Sequence, residues 1–111
     1  MSREYRGEAG ALWRHLKPRL RGKWRRMEVI TPAGIPDLVG LFRGQTYWME
    51  MKIGKPDLKA LRPEQRDFGI DCAESGVPFW LCFGHKHSPV FFCGVQVDVP
   101  STPPFWRENE R

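Results

Sequence analysis

Asp37, Glu50 and Lys52 are the residues of this chain whose types and spacing best suit chemistry. Glu50-Met51-Lys52 sets an acid and an ammonium two residues apart, which puts both on one side of an extended strand. A hard divalent cation such as Mg²⁺ takes oxygen ligands and keeps several waters. Asp37 and Glu50 can supply two carboxylate oxygens, and the backbone carbonyl of Met51 a third. Lys52 could then orient or help deprotonate an attacking water, or stabilise charge on a phosphate, where a metal polarises a phosphodiester and lowers the pKa of water. Gln65 could hold that water or a metal ligand, and a glutamate from the first helix would complete the acidic cluster. Spacing alone is a weak signal, because a solvent-facing strand also shows Glu and Lys two apart.

The elements that must position these groups are legible in outline. Residues 4–17 read as a helix, with Leu12, Trp13 and Leu16 at helical spacing and Pro18 and Gly22 beyond its end. A basic connection leads to a short strand at 27–30, and 31–34 is a turn. Residues 35–42 suit a strand with Pro36 at its beginning. Arg43-Gly44-Gln45 is a tight hairpin candidate leading into a strand at 46–53. The hairpin makes the strands of Asp37 and Glu50 neighbours, and both are otherwise apolar, so an inward carboxylate needs a partner or a metal. After a loop at 54–59, residues 63–75 form a second helix, with Pro63 in its first turn and Gly76 just past its end. Its inner stripe reads as Phe68, Cys72 and Ala73, with Gln65 near the same face. Strands follow at 77–83 and 90–97. From about residue 98 Pro100, Pro103 and Pro104 make an extended tail. Phe105 and Trp106 in it must rest either on the chain's own body or on a partner subunit. The order predicts a single α/β domain over 1–111, with a mixed central sheet flanked by helices.

The chain of 111 residues carries 18 Lys and Arg against 13 Asp and Glu, a net charge of +5. Arg14, Lys17, Arg19, Arg21, Lys23, Arg25 and Arg26 lie together with no acid among them, so the excess is local. Such a stretch suits a polyanion, whose condensed counterions are released on binding, or serves as a solvated face. Trp24 within it could stack on an unpaired base or face the core. Trp13 and Trp48 read as core or dimer contacts. Three cysteines with no apolar leader argue against a disulfide framework and favour the cytoplasm, and no apolar run suits a membrane span. Cys82, His85, His87 and Cys93 have ligand types that suit zinc, but buried thiols beside an exposed turn account for the same pattern.

Gly34-Ile35-Pro36-Asp37-Leu38, Glu50-Met51-Lys52 and Leu61-Arg62-Pro63-Glu64-Gln65, followed by Ser75-Gly76-Val77-Pro78, together resemble the VRR-NUC family. This is the virus-type replication-repair nuclease branch of the PD-(D/E)XK superfamily. The resemblance runs from about Glu4 to Phe83 and implies a restriction-endonuclease-like core with Mg²⁺-dependent phosphodiester hydrolysis, Mn²⁺ substituting. It makes Asp37 and Glu50 the metal-binding acids, Lys52 the catalytic lysine and Gln65 the glutamine of the following helix. Glu8, whole turns before Leu12 and Leu16, matches the first-helix glutamate, with Glu4 one turn earlier as the alternative. Relatives often carry two glycines before the Pro-Asp strand where this chain has Gly34 alone. Stand-alone members of this size, encoded by viruses, phages or bacteria, resemble Holliday junction resolvases and act as homodimers on branched DNA.

The expectation is therefore a structure-selective DNA endonuclease, a resolvase of four-way junctions, gripping phosphates through the seven basic residues. A flap or nicking nuclease is the alternative within the fold, and a non-catalytic nucleic-acid-binding module is the alternative outside catalysis.

Overall fold

The computed structural model describes residues 3–27, 34–85, 90–94 and 102–107. Helix α1 (Arg3–Leu16) runs into a 3-10 turn (Lys17–Arg19), then strands β1 (Lys23–Arg26), β2 (Leu38–Phe42) and β3 (Gln45–Ile53). A second 3-10 turn (Leu58–Ala60) precedes α2 (Pro63–Glu74), β4 (Phe79–Gly84) and β5 (Phe91–Gly94). The strands form one five-stranded sheet in chain order. β3 and β4 are parallel, joined through α2, and the remaining pairs are antiparallel. The α/β class with a mixed sheet and flanking helices is as the sequence predicts.

Residues paired across strands share a face, and successive residues alternate between faces. Leu38 pairs with Met49, and Met51 with Cys82, on one face. Leu12 and Leu16 of α1 pack there in a core that also holds Tyr47, Phe92 and Phe105. Trp48 pairs with Phe79, Glu50 with Leu81 and Lys52 with Phe83 on the other face. α2 covers that side through Phe68 and Cys72, with Trp48 and Phe68 ring centroids 5.2 Å apart. The alternation read from the sequence thus holds: Glu50 and Lys52 share a face, and it is the α2 face.

The β2–β3 hairpin closes in two residues, Arg43 (φ 51°) and Gly44 (φ 76°). Two successive left-handed residues match the twist of the flanking strands, which fixes the register between β2 and β3. α2 starts at Pro63 and ends at Ser75-Gly76, where Gly76 (φ 73°) turns the chain and the Val77 N–H donates to the Cys72 carbonyl at 2.8 Å.

Two expectations need correction, and for Trp24 the core-facing alternative holds. Of the short strand predicted at 27–30, residues 28–30 lie outside the described residues, and the basic connection is itself a strand, Lys23–Arg26. Its four residues carry no apolar periodicity. It forms because it ladders to β2 and because Trp24 lies flat over Gly40, where a Cβ would come within 2.3 Å of the indole. Trp24 is also not available for base stacking: its Nε1 donates to the Arg21 carbonyl at 2.8 Å and its ring meets Phe105 at 4.7 Å. Within α2, Ala73 is exposed, and the buried stripe is Gln65, Gly69 and Cys72, with Phe68 half-buried.

The question left open for the tail is settled: it rests on the chain's own body. Phe105 is fully buried among Trp24, Tyr47, Trp80 and Phe92. Trp106 bridges antiparallel to Leu20, and the Arg21 N–H donates to the Phe105 carbonyl at 2.8 Å. Residues 98–101 lie outside the described set. No helix among the described residues is long and apolar enough to cross a membrane.

Candidate active site

Asp37 precedes β2, Glu50 and Lys52 stand on β3, and Gln65 projects from the first turn of α2. The turn leading to Asp37 requires a glycine: Gly34 has φ 96°, and a Cβ there would lie 2.9 Å from the Glu64 carbonyl oxygen. The segment carrying Asp37 therefore rests directly on the start of α2, and the acid and the helix are positioned together.

The four side chains form one connected cluster. The Met51 N–H donates to Asp37 Oδ2 at 2.8 Å. Gln65 Nε2 donates to Glu50 Oε2 at 2.9 Å, and Lys52 Nζ donates to Gln65 Oε1 at 2.8 Å. The same Oε1 accepts the Arg62 N–H at 3.0 Å, so Gln65 also satisfies an otherwise unpaired donor at the helix start. Lys52 Nζ stands 3.8 Å from Glu50 Oε2. Gln65 thus works in two directions, fixing the ammonium on one side and the carboxylate on the other. The sequence pointed to Gln65 but not to its capping role, and the N-terminal spacing of Arg62 and Gln65 was the available signal.

Glu50 is 5% exposed and Gln65 3%. As a carboxylate, buried Glu50 Oε1 has no hydrogen-bond donor, and the Asp37 carboxyl lies close enough to share a proton with Glu50. Such an orphaned oxygen is costly in a folded chain unless a cation or an acidic proton meets it. Burial, and next the charge of Asp37, push Glu50 up to about 8, against the opposing pull of Lys52. Burial also raises Asp37, opposed by the Met51 N–H. Two crowded carboxyls that cannot both ionise easily are what a divalent cation relieves.

A pH effect follows for the metal-free chain. A carboxyl whose folded pKa is raised holds its proton more tightly when folded. Its contribution to stability is complete below the ordinary glutamate value of 4.5 and is lost as the pH rises through about 8. The melting temperature in EDTA is expected to fall between about pH 5 and about pH 9. Glu50→Gln should flatten that fall, whereas a wild-type profile as flat as that of the variant would contradict the burial of an ionisable Glu50.

The remaining predicted site residues are placed unevenly. Glu8 and Glu4 lie in α1, but their side chains are outside what is described. The seven basic residues do not share one face. Arg14 is on α1, and Lys17 and Arg19 are in the 3-10 turn. Arg19 is engaged internally, its guanidinium 4.6 Å over the Trp106 ring and its Nε donating to the Arg107 carbonyl. By register Lys23 and Arg25 face the side of β1 that carries Val39 and Leu41, and Trp24 and Arg26 face the other. For the alternative zinc ligands, Cys82 pairs with Phe92 and Leu81 with Cys93, so positions 82 and 93 fall on opposite faces of the sheet. Burial also pushes the Cys82 thiol far up, away from the thiolate a metal needs. His87 lies outside the described residues, and no group of three His, Cys, Asp or Glu gathers among the described ones.

Fold and site together define a mixed α/β sheet carrying a buried carboxylate–amide–ammonium cluster at the start of its covering helix. No protein-family model matches the chain, and no curated protein matches it. Among solved structures the chain is similar to Hjc, a Holliday junction resolvase from the archaeal hyperthermophile Archaeoglobus fulgidus. The identity is 16% and the TM-score 0.48, over 66% of this chain and 63% of that one, so the chain spans less than two thirds of that resolvase's length.

Proposed function

We propose that this chain is a metal-dependent DNA endonuclease of the PD-(D/E)XK type, a Holliday junction resolvase of the VRR-NUC branch. The observation that carries the reading is the Glu50 carboxyl, buried with one oxygen unpaired beside a second carboxylate, and flanked by Lys52 and Gln65. With Glu50 ionised that oxygen faces only the Asp37 carboxyl, so the pair needs either a shared proton or a cation, and a cation is what supports the reading. The order of the three motifs, Gly34 to Leu38, Glu50 to Lys52 and Leu61 to Gln65, supports the branch.

The donor set is all oxygen and suits Mg²⁺ or Mn²⁺ rather than a thiophilic metal. Asp37, Glu50 and the Met51 carbonyl would hold the cation, with waters filling the remaining positions. When bound, the cation supplies polarisation of the phosphodiester and a lowered water pKa. Lys52, its ammonium fixed by Gln65 Oε1, orients the attacking water or takes up charge developing on the phosphate. Gln65 Nε2 holds Glu50 Oε2 and so keeps Oε1 turned to the site. Asp37 stays oriented by the Met51 N–H. The exposed basic residues, Arg14, Lys17, Lys23, Arg25 and Arg26, would grip the DNA backbone without reading sequence. A homodimer would carry two such sites for the two opposed strands of a junction.

The test is cleavage of labelled four-way junction, flap, single-stranded and duplex DNA, each with Mg²⁺, with Mn²⁺ and with EDTA. Paired symmetric nicks in the junction, dependent on the metal, are expected. Preferential cutting of flaps by a monomer would replace the resolvase with a flap nuclease, and binding without cleavage of any substrate would remove catalysis.

A further inference from the structure

The face that carries Glu50 and Lys52 is only half covered. α2 packs over β3 and β4 through Phe68 and Cys72, meeting Trp48, Phe79 and Leu81. On the β1–β2 half Leu41 is 56% exposed and Val39 half-buried. The register carries this surface outward without a break: Trp48 pairs with Val39 and Val39 with Arg25, while Thr46 pairs with Leu41 and Leu41 with Lys23. Lys23 and Arg25 are exposed, and β1 is an edge strand of the sheet. A groove of about 500 Å³ straddles this edge, lined by Lys23, Arg25, Val39 and Leu41 on this face and by Leu20 and Trp24 from the α1 side.

We propose that this open half of the catalytic face, floored by Val39 and Leu41 and rimmed by Lys23 and Arg25, is the track that holds the DNA strand leading to Glu50. Strands lie about 4.8 Å apart and rise about 3.4 Å per residue, which sets the Arg25 backbone about 12 Å from that of Glu50, and Lys23 about 17 Å. The two cations therefore stand in line at increasing distance from the reacting position, within reach of successive phosphates of one strand. The occupant is fixed by charge. The stretch from residue 14 to 26 is basic without an acid, which repels a second copy of the same edge and attracts a polyanion. The floor offers two aliphatic side chains, which fit the apolar side of deoxyribose and give a 2′-hydroxyl no partner. Edge lysines and arginines also discourage strand-to-strand aggregation. That role alone would not require both to fall on the catalytic face. Within the basic stretch the inference separates Lys23 and Arg25, which contact substrate, from Arg19, which serves the fold.

The track takes its occupant from the nuclease reading, so its test is read by binding, in EDTA, where cleavage plays no part. A fluorescein-labelled four-way DNA junction is titrated with wild type, with the double variant Lys23→Gln/Arg25→Gln, and with Arg107→Gln, an exposed charge that does not line the groove. Loss of two phosphate contacts should lower the salt slope of log K by about 1.8, with Arg107→Gln close to wild type. Leu41→Glu, at a position 56% exposed, should keep the wild-type circular dichroism spectrum and weaken binding by about tenfold or more. An unchanged slope in the double variant, or an equal loss per charge in Arg107→Gln, overturns the track even if wild type cleaves DNA. Tighter binding of an RNA junction through the same residues, or loss of a dimer in Leu41→Glu at unchanged DNA affinity, assigns the surface elsewhere and also overturns it. Absence of cleavage by wild type, with the slope change present, would sink the nuclease reading and leave the track standing.

Discussion

Lys52→Ala is expected to lower metal-dependent cleavage by about 10²–10³-fold while leaving DNA affinity within about twofold. The ammonium is mostly buried, 2.8 Å from Gln65 Oε1 and 3.8 Å from Glu50 Oε2, so it belongs to the cluster and not to the surface charge. Its removal takes away the ammonium beside Glu50 and leaves Gln65 Oε1 with the Arg62 N–H alone. Lys52→Arg should restore little, because a planar fork cannot reproduce a point charge held by one amide oxygen. Single-turnover cleavage and binding in EDTA, measured on the same preparations, separate the two effects. Circular dichroism confirms that each variant is folded. Cleavage by Lys52→Ala at the wild-type rate would remove the lysine from the chemistry.

Phe105→Ala is expected to destabilise the chain by about 3–5 kcal/mol, a large share of the stability of a domain this size. The ring is fully buried, with centroids of Trp24 at 4.7 Å, Tyr47 at 4.9 Å, Trp80 at 6.1 Å and Phe92 at 6.3 Å. It joins β1, β3, β4 and β5 on the α1 face, and its carbonyl accepts the Arg21 N–H ahead of β1. Removing it leaves a cavity that four aromatic rings cannot close, and frees Trp24 from the position that seats β1 on Gly40. The melting temperature should fall by about 4–8 °C for each kcal/mol. A fall of less than about 4 °C would show that the tail is dispensable packing.

These two residues mark where the sequence could and could not be read. The Lys52 position follows from local rules: two-residue alternation along β3, a hairpin set by Arg43-Gly44, and a helix opened by Pro63 and closed by Gly76. Each is short in range and carries its own residue signature. The seat of Phe105 follows from contacts between residues far apart in the chain, and no local pattern announces it. For the same reason the sequence reads β1 as a connection. Lys23-Trp24-Arg25-Arg26 has the composition of a solvated connection, and only its ladder to β2 and the close approach of Trp24 to Gly40 make it a strand. The basic stretch illustrates the limit of charge counting. The count located the excess, but the division of Lys23 and Arg25 from Trp24 and Arg26 needs the register. Its apolar character places Ala73 in the α2 stripe, yet the buried positions there are Gln65, Gly69 and Cys72. A polar amide is buried because three hydrogen bonds satisfy it.

The central claim is that Asp37 and Glu50 form a cation site at which DNA is cut. The most direct measurement compares wild type with Asp37→Ala on a four-way junction across a Mg²⁺ titration, with binding in EDTA measured in parallel. Wild type should cleave with a rate that saturates in Mg²⁺. The variant should bind the junction as wild type does and show no cleavage at any Mg²⁺ concentration. Equal cleavage by the two proteins, or cleavage by wild type that persists in EDTA, would contradict the account.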